Sequence, residues 1–320
     1  MITKKLFWVF TISTILLFAN ACSKDENIVT SPIEVDNNNN TATVDQSEFE
    51  NEILLYSIKG DDLSPKAIYN VKNKDLEYQK DVEKHQQIWT LVKKIIPSSY
   101  RNKLKEFLIY KGEVDGSAGF VVELKKDLSE WQMGIAIDFA YDGGFNTDGE
   151  LAYTIIHEFG HILTLDNTQL NSSISQNDCT NYFPGEGCAE ENSYINELQK
   201  LYWADIWSEF EQAGDDETKQ DEFYNKHKTR FVTQYASTNP AEDIAEVFST
   251  FVTQKNKPTG NTIADKKILL MYNRAELVSL RNSIRQNTAS RAKGLNTSFK
   301  LPKPGAWKKA NTFGNPKKTH

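Results

Sequence analysis

The feature that most constrains this chain is a pair of histidines four residues apart, His157 and His161, in the apolar run "IIHEFGHIL". Residues four apart lie one turn apart on one face of an α-helix, so both imidazoles can reach a single point. Imidazole nitrogens are common zinc ligands. The run therefore predicts a buried helix that presents two metal ligands, and another part of the chain must complete the site.

Glu158 lies next to the first histidine, about 100° around the helix axis. From there its carboxylate can take a proton from a water molecule that the metal activates, without being a ligand itself. A chance match on a core helix is the alternative. The helix is largely apolar, however, and a polar set of Thr154, both histidines and Glu158 would need buried partners. Gly160 weakens a helix by roughly 1 kcal/mol, which predicts that another segment approaches closely there.

The third ligand is predicted to be a carboxylate. A third histidine in the continuous motif HExxHxxGxxH would require Gly at 164 and His at 167, where the chain has Thr164 and Asn167. His227 lies far along the chain in a charged stretch. Glu242 and Glu246 share one face of a predicted helix in "NPAEDIAEVFSTF". We predict that Glu242 binds the metal and that Glu246 orients a histidine from behind.

A capping role is the alternative for Glu242. Asn239 is a good N-cap, Pro240 suits the first helical position, and Glu242 then completes a capping-box pattern. Glu190 and Asp178 are weaker candidates for the third ligand.

The N-terminus is predicted to be a lipoprotein signal peptide, residues 1–21. Lys4 and Lys5 precede an apolar run of 14 residues, which is short for a membrane span. "ANAC" then resembles a bacterial lipobox, in which Cys22 is lipidated. An ordinary cleaved signal or an anchor helix is the alternative. Residues 22–48 are polar and Asn-rich, which predicts a flexible tether.

The "SKDE" that follows the predicted lipidation site resembles the surface-export signal of lipoproteins from the Bacteroidetes. It predicts an outer-membrane lipoprotein exposed at the cell surface. In an exported protein, Cys179 and Cys188 in "CTNYFPGEGC" predict a disulfide, with two free thiols as the alternative.

The layout of the chain predicts an α+β fold for residues 49–288. Strand-like runs at Gly119–Leu124 and Met133–Phe139 precede the histidine motif, and nearly all of the sequence after it is helical. This is a small mixed sheet followed by a mostly helical C-terminal half. Residues 289–320 form a basic tail with eight lysines and arginines.

Two further expectations concern helices and partners. Leu76 to Ile96 predicts one amphipathic helix with His85 on its solvated side, and "SYINELQKLYWADIWSEF" predicts another. The net charge of −7 argues against a nucleic-acid partner.

The motifs together resemble a known family. HEFGH, with Tyr235 seven residues before Glu242 in the second helix, is similar to gluzincin peptidases related to anthrax lethal factor. With the lipobox and the "SYIN" helix, the chain resembles a group of zinc-binding metallopeptidase lipoproteins of the Bacteroidetes, associated with outer-membrane nutrient import. The resemblance covers roughly residues 75–255 and the lipobox.

The resemblance implies a zincin-like metallopeptidase domain that uses Zn²⁺. His157, His161 and Glu242 would be its ligands, Glu158 its general base, and Tyr235 a donor to the oxyanion. A core tyrosine is the alternative for Tyr235.

The expected function is a membrane-tethered zinc metallopeptidase that acts on peptides or proteins, in association with a nutrient-import transporter. A surface binding lipoprotein with little turnover is one alternative, and a zinc hydrolase of a non-peptide bond is another. The intact Glu158 favours an enzyme, because a binding protein has no need of a general base.

Overall fold

The computed structural model describes residues 42–44, 51–114, 116–146 and 149–289, all within one compact unit. The predicted signal peptide, the lipidation site Cys22, most of the tether and the basic tail after residue 289 lie outside the described residues. Within these ranges, no helix is both long and apolar enough to cross a bilayer.

A mixed sheet forms one layer of the fold. Its strands are β1 (Ala42–Val44), β2 (Glu52–Lys59), β3 (Asp62–Tyr69), β4 (Leu104–Tyr110), β5 (Gly119–Glu123) and β6 (Trp131–Ala136). They lie in the order β1-β3-β2-β4-β6-β5. The pairs β1–β3 and β4–β6 are parallel, and the other neighbours are antiparallel. Strand β5 is therefore an edge of the described sheet.

The helices make up the rest. They are α1 (Asn73–Lys80), α2 (Val82–Ile95), α3 (Ser98–Arg101), α4 (Ile137–Ala140), α5 (Glu150–Leu165), α6 (Tyr194–Tyr202), α7 (Trp207–Ala213), α8 (Glu217–His227), α9 (Pro240–Thr253), α10 (Ile263–Tyr272) and α11 (Ala275–Ala289). Short 3₁₀ helices span Gly112–Val114, Lys228–Arg230 and Tyr235–Ser237. The predicted α+β class, with the sheet before the motif and helices after it, is confirmed.

Both predicted long helices are in fact broken. The first divides at Asp81, whose side chain accepts a hydrogen bond from the backbone N–H of Lys84 and so caps the start of α2. The second divides at Trp203, which is fully buried and donates its indole N–H to Asp243 at 2.7 Å. In each case a side-chain hydrogen bond lies at the point where the helix ends, although the apolar pattern of the sequence continues past it.

The two predicted strands are present but the second is shorter than expected. After β6 ends at Ala136, α4 begins, and the carboxylate of Asp138 within it accepts hydrogen bonds from the backbone N–H groups of Gly112 and Glu113. These bonds hold α4 against the 3₁₀ turn that follows β4. The hairpin of β2 and β3, which turns at Gly60 with a φ of +64°, was not predicted.

The prediction of a solvated His85 is wrong. Its side chain is fully buried, with Nδ1 2.7 Å from the hydroxyl of Tyr56 and Nε2 2.9 Å from the carbonyl oxygen of Tyr78. Burial lowers its pKa to about 4, so the ring is neutral at physiological pH. The error has a nonlocal cause: Tyr56 belongs to the unpredicted hairpin, which covers this side of α2.

A disulfide joins Cys179 and Cys188, as predicted. The second cysteine lies in a two-residue strand, β8 (Cys188–Ala189), which pairs antiparallel with β7 (Leu170–Asn171). The bond and the short ladder together fix the loop between α5 and α6.

A buried ion pair anchors α9. Lys267 of α10 donates to the carboxylate of Asp243, and neither side chain is exposed. Removing one partner of such a pair leaves the other charge buried without compensation. We expect Lys267→Met to lower the free energy of unfolding by about 3–5 kcal/mol in urea titrations.

The matched control is the double variant Lys267→Met/Asp243→Asn, which also removes the stranded charge. It should recover much of the lost stability, since the amide oxygen of the substituted side chain can still accept the indole N–H of Trp203. If the single variant were as stable as the wild type, the pair would not anchor the helix.

Candidate metal centre

Helix α5 carries the histidine motif through the centre of the protein. It begins after Gly149, which has a φ of +100°, and every residue from Leu151 to Leu165 is buried. The polar residues of the motif are thus buried along with the apolar ones. Strand β5 contacts the helix and so do α2, α6 and α9, which enclose the polar face as well.

Gly160 lets α9 approach α5 closely, as its place in the motif predicted. A methyl group at this position would lie 3.2 Å from the Cα of Ala245 and 3.3 Å from Cδ1 of Phe248. Both contacts are tighter than ordinary packing allows, and one of them is to backbone. The approach brings the carboxylates of α9 within reach of the histidines on α5.

Three side chains converge on one point: His157, His161 and Glu242, here called the donor group. The Nε2 atoms of the two histidines are 3.1 Å apart. The Oε2 atom of Glu242 lies 3.1 Å from Nε2 of His157 and 3.3 Å from Nε2 of His161. Ligands about 2.0–2.1 Å from a tetrahedral zinc would be about 3.3 Å from one another, so these separations fit one such ion. The donor group can hold a metal ion.

The charges of the donor group also suit a cation. Burial would lower the pKa of His157, but hydrogen bonds to Glu242 and Glu246 outweigh it and raise the pKa to about 10. Burial would raise the pKa of Glu242, but electrostatic attraction to His161 and hydrogen bonds with both histidines hold this pKa well below its usual range. The negative charges of Glu242 and Glu246 that favour a proton on His157 also favour a divalent cation at the donor group.

Glu242 is the third residue of its helix, and its Oε2 atom faces Nε2 of both histidines. Asn239 is the N-cap, since its Oδ1 accepts from the backbone N–H of Glu242 at 2.9 Å. Pro240 occupies the first turn, as predicted. The carboxylate of Glu242 is left to face the histidines. The weaker candidates Glu190 and Asp178 are exposed and stand outside the donor group.

Glu246 lies behind His157 and holds its ring. The Nδ1 atom of His157 is 2.8 Å from Oε1 of Glu246. The other oxygen, Oε2, accepts from the hydroxyl of Thr233 at 2.7 Å and from that of Tyr153 at 3.1 Å. A proton on Nδ1 leaves the lone pair of Nε2 directed at the donor group. Sequence reasoning missed Thr233 and Tyr153, because neither forms part of a spacing motif.

Glu158 is close to the donor group but not a member of it. Its side chain is fully buried, and neither carboxylate oxygen has a hydrogen-bond partner among the described residues. A methyl group at Gly119 of β5 would lie 3.3 Å from its Cγ, so this strand passes directly beside it. Burial raises the pKa of Glu158 to about 7, against the opposing effect of the two histidines. A carboxyl group in this range can both accept and donate a proton near neutral pH.

Tyr235 lies beside the same site. Its ring centroid is 5.8 Å from that of His157, and it begins the 3₁₀ helix just before α9. The hydroxyl of Thr233 accepts from the backbone N–H of Ala236 at 3.0 Å. Thr233 thus fixes the turn that carries Tyr235 while it also bonds to Glu246. His227, in contrast, is away from the site and pairs with Glu209.

A cleft of about 370 Å³ opens beside the donor group, with His161 and Glu242 in its lining. Val121 and Glu123 of the edge strand β5 form part of its wall. A substrate in this cleft could therefore reach a metal held by the donor group. No family model, curated protein or solved structure matches the chain.

Proposed function

We propose that this protein is a membrane-tethered zinc metallopeptidase with a zincin-like domain. The proposal rests mainly on one observation: Glu158 lies next to the donor group but is not a member of it. Two imidazoles and a carboxylate at tetrahedral spacing suit zinc, and three protein ligands leave a fourth position for chemistry. The resemblance to gluzincins supports the same assignment.

Glu158 is proposed as the general base. A bound zinc ion would polarise a peptide carbonyl and lower the pKa of a water molecule toward 7. Glu158 would accept the proton of the attacking water and pass it to the departing amine. Its burial and its pKa of about 7 support this exchange.

Tyr235 is proposed to donate a hydrogen bond to the oxygen that becomes negative during attack on the carbonyl. Its ring beside His157 supports this role. Glu246 orients His157, and Thr233 ties Glu246 to the turn that carries Tyr235. These bonds would keep a metal ligand and the proposed oxyanion donor in fixed relation.

The edge strand favours a peptide over a non-peptide substrate. Strand β5 has a neighbour on one side only within the described sheet, and it lines the cleft. An extended peptide can add to such an edge through backbone hydrogen bonds. Glu158 packs beside Gly119 of the same strand, so the proposed base and the proposed peptide edge belong to adjacent parts of the fold.

Zinc content and peptide cleavage, measured on the same preparation, test this proposal. We expect one zinc per chain by elemental analysis and cleavage of a broad peptide library that chelation abolishes and zinc restores. A protein that holds one zinc and cleaves nothing would instead be a surface binding lipoprotein or a hydrolase of a non-peptide bond. A protein that holds no zinc would contradict the assignment of the metal.

The proposed location depends on Cys22, which lies outside the described residues. Lipid on this cysteine would hold the domain at the outer membrane, near a nutrient-import transporter that takes up the products. We expect Cys22→Ala to abolish lipid labelling and to release the protein from the membrane fraction. Ser23→Ala is the matched control and should remain labelled. A Cys22→Ala protein that stays membrane-bound and labelled would contradict the lipoprotein assignment.

A further inference from the structure

The cleft beside the donor group has a distinctive lining of carboxylates and aromatic rings, and none of the described residues in its wall is a lysine or an arginine. We infer that it selects substrates with a lysine or arginine side chain next to the bond that is cleaved. This inference rests on the proposed function, because it names the substrate class of that same site. The volume of about 370 Å³ is in the range of pockets that hold small organic groups.

The carboxylates come from three separate segments of the chain. Glu123 ends β5, Glu186 lies in the loop closed by the disulfide, and Glu211 and Asp215 lie at the end of α7 and just after it. A single run of acids along the sequence usually means a solvated helix face. Here the fold gathers distant acids around one volume, and none of the described residues that line it is a lysine or an arginine. An excess of acidic over basic side chains in the wall favours a cationic ligand.

Two of these carboxylates are open to a ligand. Glu211 and Asp215 are exposed, and neither forms an ion pair with another described residue. Between them, Gly214 adopts a φ of +52°, which turns the chain at the end of α7. The turn directs Asp215 to the same cleft as Glu211.

The apolar part of the wall suits the stem of a long basic side chain. Trp131, Tyr182 and Phe210 line the cleft, together with Leu165 and Val121. Lysine and arginine bury their methylene groups against apolar surface while the charged end meets carboxylates or the face of a ring. A neutral side chain would use only the apolar wall, and an acidic one would be repelled.

An organic cation fits these carboxylates better than a second metal ion does. Among the described residues, only His157, His161 and Glu242 bring three potential ligand atoms close enough together to hold one ion. The other carboxylates of the cleft are too far apart for that. Spaced negative charges along an apolar wall match an extended side chain.

Equilibrium binding tests the inference without relying on turnover. The probes are four dye-labelled peptides that differ at one position only, which is Arg, Lys, Gln or Glu, titrated by fluorescence anisotropy. The protein is the full chain with zinc and with Glu158→Gln, which is expected to slow cleavage enough for binding to be measured. We expect the Arg and Lys peptides to bind about tenfold more tightly than the Gln peptide, the scale of a few partly exposed charge pairs. The Glu peptide should bind most weakly.

Neutralising the cleft provides the matched comparison. Glu211→Gln/Asp215→Asn should remove most of the preference for Arg and leave the affinity for the Gln peptide unchanged. Glu77→Gln/Glu222→Gln removes the same charge from exposed carboxylates outside the cleft and should keep the preference. Thermal unfolding of each variant confirms that it is folded.

Peptide binding and peptide cleavage together distinguish a failure of this inference from a failure of the proposed function. Equal affinity for the Arg and Gln peptides would overturn the inference, and so would a preference that survives Glu211→Gln/Asp215→Asn. If the wild type cleaves no peptide but the preference depends on these two residues, the inference stands as a binding specificity and the peptidase proposal falls. If the wild type cleaves with no basic preference, the peptidase proposal stands and the inference is overturned.

Discussion

Glu158→Gln is expected to leave the protein with its zinc and to slow peptide hydrolysis by roughly 10²–10⁴-fold, the scale of a lost general base. Glutamine has the size of glutamate but cannot accept the proton of the attacking water. The carboxylate of Glu158 is not part of the donor group, so zinc binding does not depend on it. Because its oxygens have no hydrogen-bond partner among the described residues, the substitution breaks no bond that the structure describes.

The measurement is zinc by elemental analysis beside the rate of cleavage of one peptide, for wild type and variant. Tyr235→Phe is the companion variant, because it removes one hydroxyl and keeps the ring beside His157. It should also retain zinc and lower the rate by roughly 10²–10³-fold, as expected for one oxyanion donor. Cleavage at the wild-type rate by the Glu158→Gln variant would remove the proposed mechanism.

The sequence predicts those features of the site that depend on the spacing of residues within one helix. The four-residue repeat of His157 and His161 requires one helix face, and Asn239 caps α9 as its sequence indicates. Gly160 predicted a close approach, which α9 makes. Each of these features depends on a few consecutive residues and on the geometry of one helix.

What the sequence did not predict depends on contacts between distant segments. His85 was placed on a solvated face, because periodicity within α2 carries no information about the hairpin that covers it. Thr233 and Tyr153 reach Glu246 from two different parts of the chain. The gathering of Glu211 and Asp215 at the cleft likewise requires the fold. A sequence motif thus predicts which residues can bind a metal, whereas the residues that orient those ligands, and those proposed to select a substrate, can be identified only from the fold.

Glu242→Ala is expected to remove most of the bound zinc. This loss should exceed the loss caused by a substitution of Glu246, which contacts His157 from the side away from the metal. The substitution deletes one of three converging donors and leaves two imidazoles, which bind a divalent cation much less well than two imidazoles and a carboxylate do. It also removes the negative charge that lies 3.1 Å from Nε2 of His157. The measurement is zinc retained after dialysis against a weak chelator, with circular dichroism to show that the variant is folded.

Glu246→Ala is the matched control, since it deletes a carboxylate from the same face of α9 one turn later. It removes the carboxylate that bonds to Nδ1 of His157 and to the hydroxyls of Thr233 and Tyr153, but it leaves all three donors in place. Zinc affinity should fall by roughly 10–100-fold, the scale for residues that orient a ligand. Glu246→Gln should lose less still, because its amide oxygen can accept the proton of Nδ1. A Glu242→Ala protein that keeps its zinc while Glu246→Ala loses it would exchange the two roles, with Glu246 as the ligand.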